Sequence, residues 1–160
     1  MSSSESRCVM NKASIKRISP LKTVVLCGFL CLCTSVASAG QLEDVASVIA
    51  AEACSQGEIG MHAVASTIQN RARARHIPPG AVVKQKNQYF GWTNKNRLSI
   101  YKQCKREADV LAVQVINGTL PDIVSGAQYF LLPTEPKRKW HGVKTVVIGS
   151  HTFYKERTLK

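Results

Sequence analysis

Acidic side chains are scarce in this chain: ten Asp and Glu stand against 22 Lys and Arg in 160 residues, for a formal net charge of +12. Few acids leave little room for chemistry built on paired carboxylates, so each Glu and Asp is worth locating. Metal-binding signatures are missing too. The four histidines (His62, His76, His141, His151) show no H-E-x-x-H spacing, and no two cysteines are set as C-x-x-C. A zinc peptidase or zinc amidase is therefore not expected, and no cofactor is. No apolar run is long enough to span a bilayer as a helix of the finished protein. Internal repeats, low-complexity segments and RNP-like or helix-turn-helix patterns are absent, so nucleic acid is not an expected partner.

The longest apolar stretch, VVLCGFLCLC, follows Lys12, Lys16, Arg17 and Lys22 and precedes Ala37-Ser38-Ala39. Basic, apolar and small-residue regions in that order form an export signal. Residues 1–39 are read as a signal peptide and residues 40–160 as one domain, with Met10 a second candidate start. The competing reading is a retained anchor; the small-residue site favours cleavage and no stable membrane insertion. The leader carries five basic residues and one acid, so the remaining 121 residues have a net charge of +8. A basic exported protein, bound for the periplasm, the cell wall or the outside, suits an anionic polymer or surface. RARAR (71–75), KQCKR (102–106) and PKRKW (136–140) carry the excess, and they fit ordinary solvated surface equally well. Four of six cysteines lie in the leader. Cys54 and Cys104 remain, either as one disulfide in an oxidising compartment or as two thiols.

Periodicity predicts a helix over Leu42–Cys54, with Glu43 and Asp44 in its first turn, and a second over Glu58–Arg75. Ser55-Gln56-Gly57-Glu58 matches a capping box, an ordinary role for Glu58. His76 to Gly80 (HIPPG) stops the second helix. A short helical turn and a loop with Tyr89, Phe90 and Trp92 follow. A third long helix is predicted over Leu98–Ile116, stopped by Asn117-Gly118. AQYFLL (127–132) and KTVVIG (144–149) read as strands, with HTFYK as a short edge. The fold class is α+β, mainly helical, with a small C-terminal β element.

Glu52 breaks the apolar stripe of Leu42, Val45, Val48 and Ile49 near the end of the first helix. A carboxylate there is either a structural group bonded to backbone N–H donors or a partly desolvated general acid. Glycoside cleavage ordinarily uses two carboxylates. Only Glu58 lies near Glu52 in sequence, and it is the candidate second carboxylate. One carboxylate suffices if the substrate's N-acetyl group attacks and its own 6-hydroxyl replaces water, which is the chemistry of a lytic transglycosylase.

The segment AAEACSQGEIGMHAVASTIQNRARARHIPP resembles the SleB-type cell wall hydrolases. Further pieces match in order: QNRA (69–72), QKNQYFGWT (85–93), GAQYF (126–130) and IGSHTFY (148–154). The resemblance covers nearly all of residues 40–160. It implies a fold similar to lytic transglycosylases and goose-type lysozymes, a catalytic acid at Glu52, and peptidoglycan glycan strands as the partner of a monomeric enzyme. Gln88, Tyr89, Trp92 and Tyr129 are the candidate sugar-binding residues, with core packing the alternative role. Members often carry a second Glu four residues after the first; here that position is Gln56. Asn70 is read as structural and His151 as a strand-end histidine with a satisfied hydrogen bond. The readings that compete with a transglycosylase are lysozyme-type hydrolysis, a non-catalytic wall-binding module, and a charge-driven binder of lipopolysaccharide or nucleic acid.

Overall fold

A helix opens the described structure and runs without a break through the predicted end of the leader. The computed structural model describes residues 34–132 and 142–157, with side chains from Gly40 onward. Residues 1–33, the PKRKW patch and Glu135 lie outside the described residues.

Helix α1 spans Thr34–Ala53, beginning eight residues before the predicted Leu42. Gly40 alone does not stop it, since one glycine inside a helix costs only about 1 kcal/mol relative to alanine. Glu43 and Asp44 consequently sit mid-helix instead of in a first turn, and Asp44 pairs with Lys84 at 2.5 Å. A single 3-10 turn, Cys54–Gln56, joins α1 to α2, Gly57–Arg75. This turn consumes Ser55, so the predicted capping box does not form. Gln56 is the N-cap, without a side-chain bond to the helix, and Glu58 is an exposed first-turn acid. At the other end His76 takes the left-handed conformation and its N–H closes on Ala72 and Arg73, just before Pro78.

Helix α2 is the axis of the domain. The sequence suggests one apolar face, but Met61 to Gln69 are buried almost without interruption. Helix α6 (Lys105–Ile116), helix α3 (Pro79–Val83), the 3-10 turn and the sheet all lie against it. Small residues (Ala63, Ala65, Ser66) let these neighbours approach, and the buried Gln69 amide is bonded at both ends. Gln69 donates to the Leu120 carbonyl at 2.7 Å and accepts from the Leu120 N–H at 3.1 Å. Val45, Val48 and Ile49 of α1, Val64 and Ile68 of α2, and Leu111 and Val115 of α6 share one core. Each such side chain, fully buried, contributes about 1.5–3 kcal/mol.

The predicted helix over Leu98–Ile116 is two helices, α5 (Arg97–Gln103) and α6, broken at Cys104. Cys104 leaves helical geometry (φ −118°, ψ 25°) and is bonded to Cys54, with Cα atoms 6.1 Å apart. A covalent tie to the end of α1 therefore falls where the helix breaks. Between α3 and α5, helix α4 covers Phe90–Thr93, where the sequence suggests loop.

Three strands, β1 (Tyr129–Leu131), β2 (Gly142–Ile148) and β3 (His151–Glu156), form an antiparallel sheet in the order β1-β3-β2. HTFYK is thus the central strand, not an edge. A tight turn at Gly149-Ser150 folds β3 onto β2, pairing Ile148 with His151, and β1 then adds to the free side of β3. Gly149 supplies the positive φ of 57° that this turn needs. Phe153 of β3 is buried with Ala63, Val124 and Ala127, which fastens the sheet to α2.

Candidate active site

The end of α1, the α3–α4 segment and the sheet enclose a cavity of about 1250 Å³. Glu52 lies in it, half-buried, one residue before the end of α1. Its Oε1 accepts a hydrogen bond from the Gly91 backbone N–H at 2.5 Å. The N–H groups of a helix's first turn have no partner within the helix, and Gly91 is the second residue of α4. A side chain at position 91 would crowd this contact. Its Cβ would stand 3.0 Å from the Ala51 Cβ, 3.1 Å from Glu52 Oε1 and 3.2 Å from Glu52 Cγ.

The α3–α4 wall carries most of the predicted sugar-binding residues, in unequal roles. Tyr89 is 3% exposed and belongs to the core behind the wall, where its ring meets the Arg71 guanidinium at 5.1 Å. Burial pushes its phenol up from the ordinary tyrosine value, against the opposing pull of Arg71. The next residue, Phe90, points the other way and is 76% exposed at the cavity. Trp92 is half-buried between two cations, Arg97 at 4.2 Å and Lys84 at 5.4 Å from its ring. Gln88 is exposed and accepts from Arg71 Nη1 at 3.1 Å.

Tyr129 comes from the opposite wall. Its hydroxyl donates to Glu156 and accepts from Arg75 Nη2 at 3.0 Å. Burial first, then the bond to Glu156, raises its pKa, while Arg75 opposes the shift. Glu52, Gln88, Tyr89, Trp92 and Tyr129 thus meet at one cavity. Glu58 does not line it. The other carboxylate there is Glu156, at the end of β3.

Arg71, His151, Phe130 and Phe90 also line the cavity and were not singled out as site residues by sequence. RARAR suggests a solvated stripe, yet Arg71 is 2% exposed. Its charge is met by the Gln88 and Gln128 oxygens and by the faces of Tyr89 and Tyr129. The available signal was its position three residues after Ile68, on the buried side of α2. His151 stands at the start of β3 with its Nδ1 2.9 Å from Gln56 Nε2, as its strand-end reading expects. Asn70 is structural, donating to the Ala127 carbonyl at 3.1 Å. Among the described residues no group of three or more His, Cys, Asp or Glu could hold a metal ion. No helix among them is long and apolar enough to cross a membrane.

The groove thus presents a half-buried glutamate bonded to a backbone N–H, among aromatic and amide side chains. A sequence model of the family described as Cell Wall Hydrolase matches residues 55–154, and the chain belongs to that family. The match begins three residues beyond Glu52. Two solved structures share the fold, a lysozyme-like one. The catalytic domain of the Bacillus cereus SleB protein is 21% identical, with a TM-score of 0.56 over 72% of this chain and 89% of that one. The catalytic domain of the germination-specific lytic transglycosylase SleB from Bacillus anthracis is 24% identical, with a TM-score of 0.57 over 72% and 93%. No curated protein matches the chain.

Proposed function

We propose that this cell wall hydrolase is an exported lytic transglycosylase that cuts the bond between MurNAc and GlcNAc in peptidoglycan, with Glu52 as its acid and base. The observation that carries the reading is Glu52 itself: the carboxylate on the α1 side of a groove large enough for sugar rings, with one oxygen fixed by Gly91. Protonated Glu52 gives its proton to the glycosidic oxygen as the bond to MurNAc C1 breaks, and the chain's GlcNAc end leaves as an alcohol. The MurNAc acetamido oxygen bonds to C1 in its place. The 6-hydroxyl oxygen then displaces it, its proton passing to the Glu52 carboxylate, and the ring closes as a 1,6-anhydro sugar. The Gly91 bond aims the reactive oxygens and limits the conformations from which transfer starts. Exposed Phe90 offers a face for sugar rings beside Trp92.

One observation favours a second reading, hydrolysis by water. Glu156 lines the same cavity and, unlike Glu58, is placed where a second carboxylate could act. Its bond from Tyr129 argues for a structural task. Digestion of purified sacculi by the wild type and Glu52→Gln, followed by mass spectrometry of the soluble muropeptides, decides. Anhydro ends from the wild type alone support the transglycosylase. Reducing ends move the reaction to water, and binding without cleavage by either protein removes the enzymatic role of Glu52. Export after cleavage at Ala39 is tested by fractionating cells and sequencing the amino terminus of the mature chain.

A further inference from the structure

Gln56 stands four residues after Glu52, and its amide reaches across to the sheet. Its Oε1 accepts the Ser150 N–H at 3.1 Å, and its Nε2 lies 2.9 Å from His151 Nδ1. Chemistry fixes which end of the amide faces which partner. A backbone N–H only donates, so the atom opposite Ser150 must be the oxygen. The amide nitrogen therefore faces His151. It, too, only donates, so Nδ1 must be the unprotonated acceptor and the ring proton must reside on Nε2. The turn that presents Ser150 and His151 is shaped to receive this amide. A Cβ at Gly149 would fall 2.3 Å from Gln56 Oε1.

The ring so addressed is 3% exposed, borders the same cavity as Glu52, and stands edge-on to Phe130 at 4.7 Å between centroids. We propose that Gln56 is a positioning residue that locks His151 as the neutral Nε2–H tautomer, so that a ring bordering the groove is kept from becoming a cation. A glutamate at this position would do the reverse, because a carboxylate accepts and would require a proton on Nδ1. Gln56 is then not an acid lost from the site but a device that sets the protonation pattern of a histidine beside it.

The test is long-range nitrogen–proton NMR of the histidine rings at neutral pH, on the purified 15N-labelled chain. The His151 signals are identified as those missing from His151→Asn. The expected wild-type pattern is a protonated Nε2 and a bare Nδ1, and Gln56→Glu moves a proton onto Nδ1. A wild-type ring protonated at Nδ1 overturns the proposal, as does an unchanged pattern in a folded Gln56→Glu protein. Should that variant not fold, the wild-type spectrum decides alone. The spectrum is the same whether or not the chain cuts sacculi, so failure here is distinct from failure of the enzymatic reading.

Discussion

Replacing Gly91 by alanine asks how tightly the reaction depends on the placement of Glu52. The new Cβ would stand 3.1 Å from Glu52 Oε1 and 3.0 Å from the Ala51 Cβ. Both contacts are shorter than ordinary carbon van der Waals spacing, so α4 or the carboxylate must retreat by a few tenths of an ångström. Overpacking of that kind costs about 1–3 kcal/mol of stability. The 2.5 Å bond from Gly91 lengthens or breaks, and a hydrogen bond to a charged group is worth about 1.5–3 kcal/mol. If the transition state loses half of that, kcat/KM falls by about three- to thirteenfold, since 1.36 kcal/mol is a factor of ten. Sacculus-clearing rates and thermal unfolding, measured on the same Gly91→Ala preparation, separate the two costs. A folded variant with undiminished clearing would refute the reasoning, because Glu52 would then work without the N–H that holds it.

Glu52→Gln removes the proton donor while keeping the side chain's size; clearing should fall by roughly 10²–10⁴-fold with little change in melting temperature. Trp92→Ala should weaken sacculus binding by removing aromatic surface from the groove wall, read from pull-down at several wall concentrations. Loss of the Cys54–Cys104 bond, which closes a separation of 50 residues, should cost about 4 kcal/mol by chain entropy; melting with and without reductant measures it. Tyr89, Tyr101 and Tyr129 all have raised pKa values, chiefly from burial. The folded chain therefore holds these protons more tightly than the unfolded chain. Their contribution is complete below about pH 10, the unfolded value, and is lost as pH climbs through the folded values. Tyr89→Phe should blunt that alkaline decline, followed by denaturation midpoints across the range.

The helices of the core were legible because apolar spacing survives in sequence, and the stop at HIPPG because proline chemistry is local. Glu52 was legible for the opposite reason, as a charge where the pattern wants an apolar residue. What misled was everything decided between segments. Cys104 interrupts a continuous helical pattern because a distant sulfur holds it. His151 to Glu156 looks like an edge by chain order and becomes central because β1 pairs with it from far upstream. Ser55 to Glu58 has the letters of a capping box, but the 3-10 turn moves the helix start past Ser55. Arg71 sits in a basic stripe, and only the assembled walls show that two rings and two oxygens receive it.

The bond between Cys54 and Cys104 encloses α2, α3, α4 and α5 in a covalent ring, with Glu52 just outside it. Lys84 to Gln88, between α3 and α4, is a part of that ring open to a protease: its lysines and Gln88 are exposed. A cut there would release nothing. The two pieces would migrate as one band until reductant is added and would then separate. A preparation judged intact without reductant could therefore be nicked beside the groove it was purified to study.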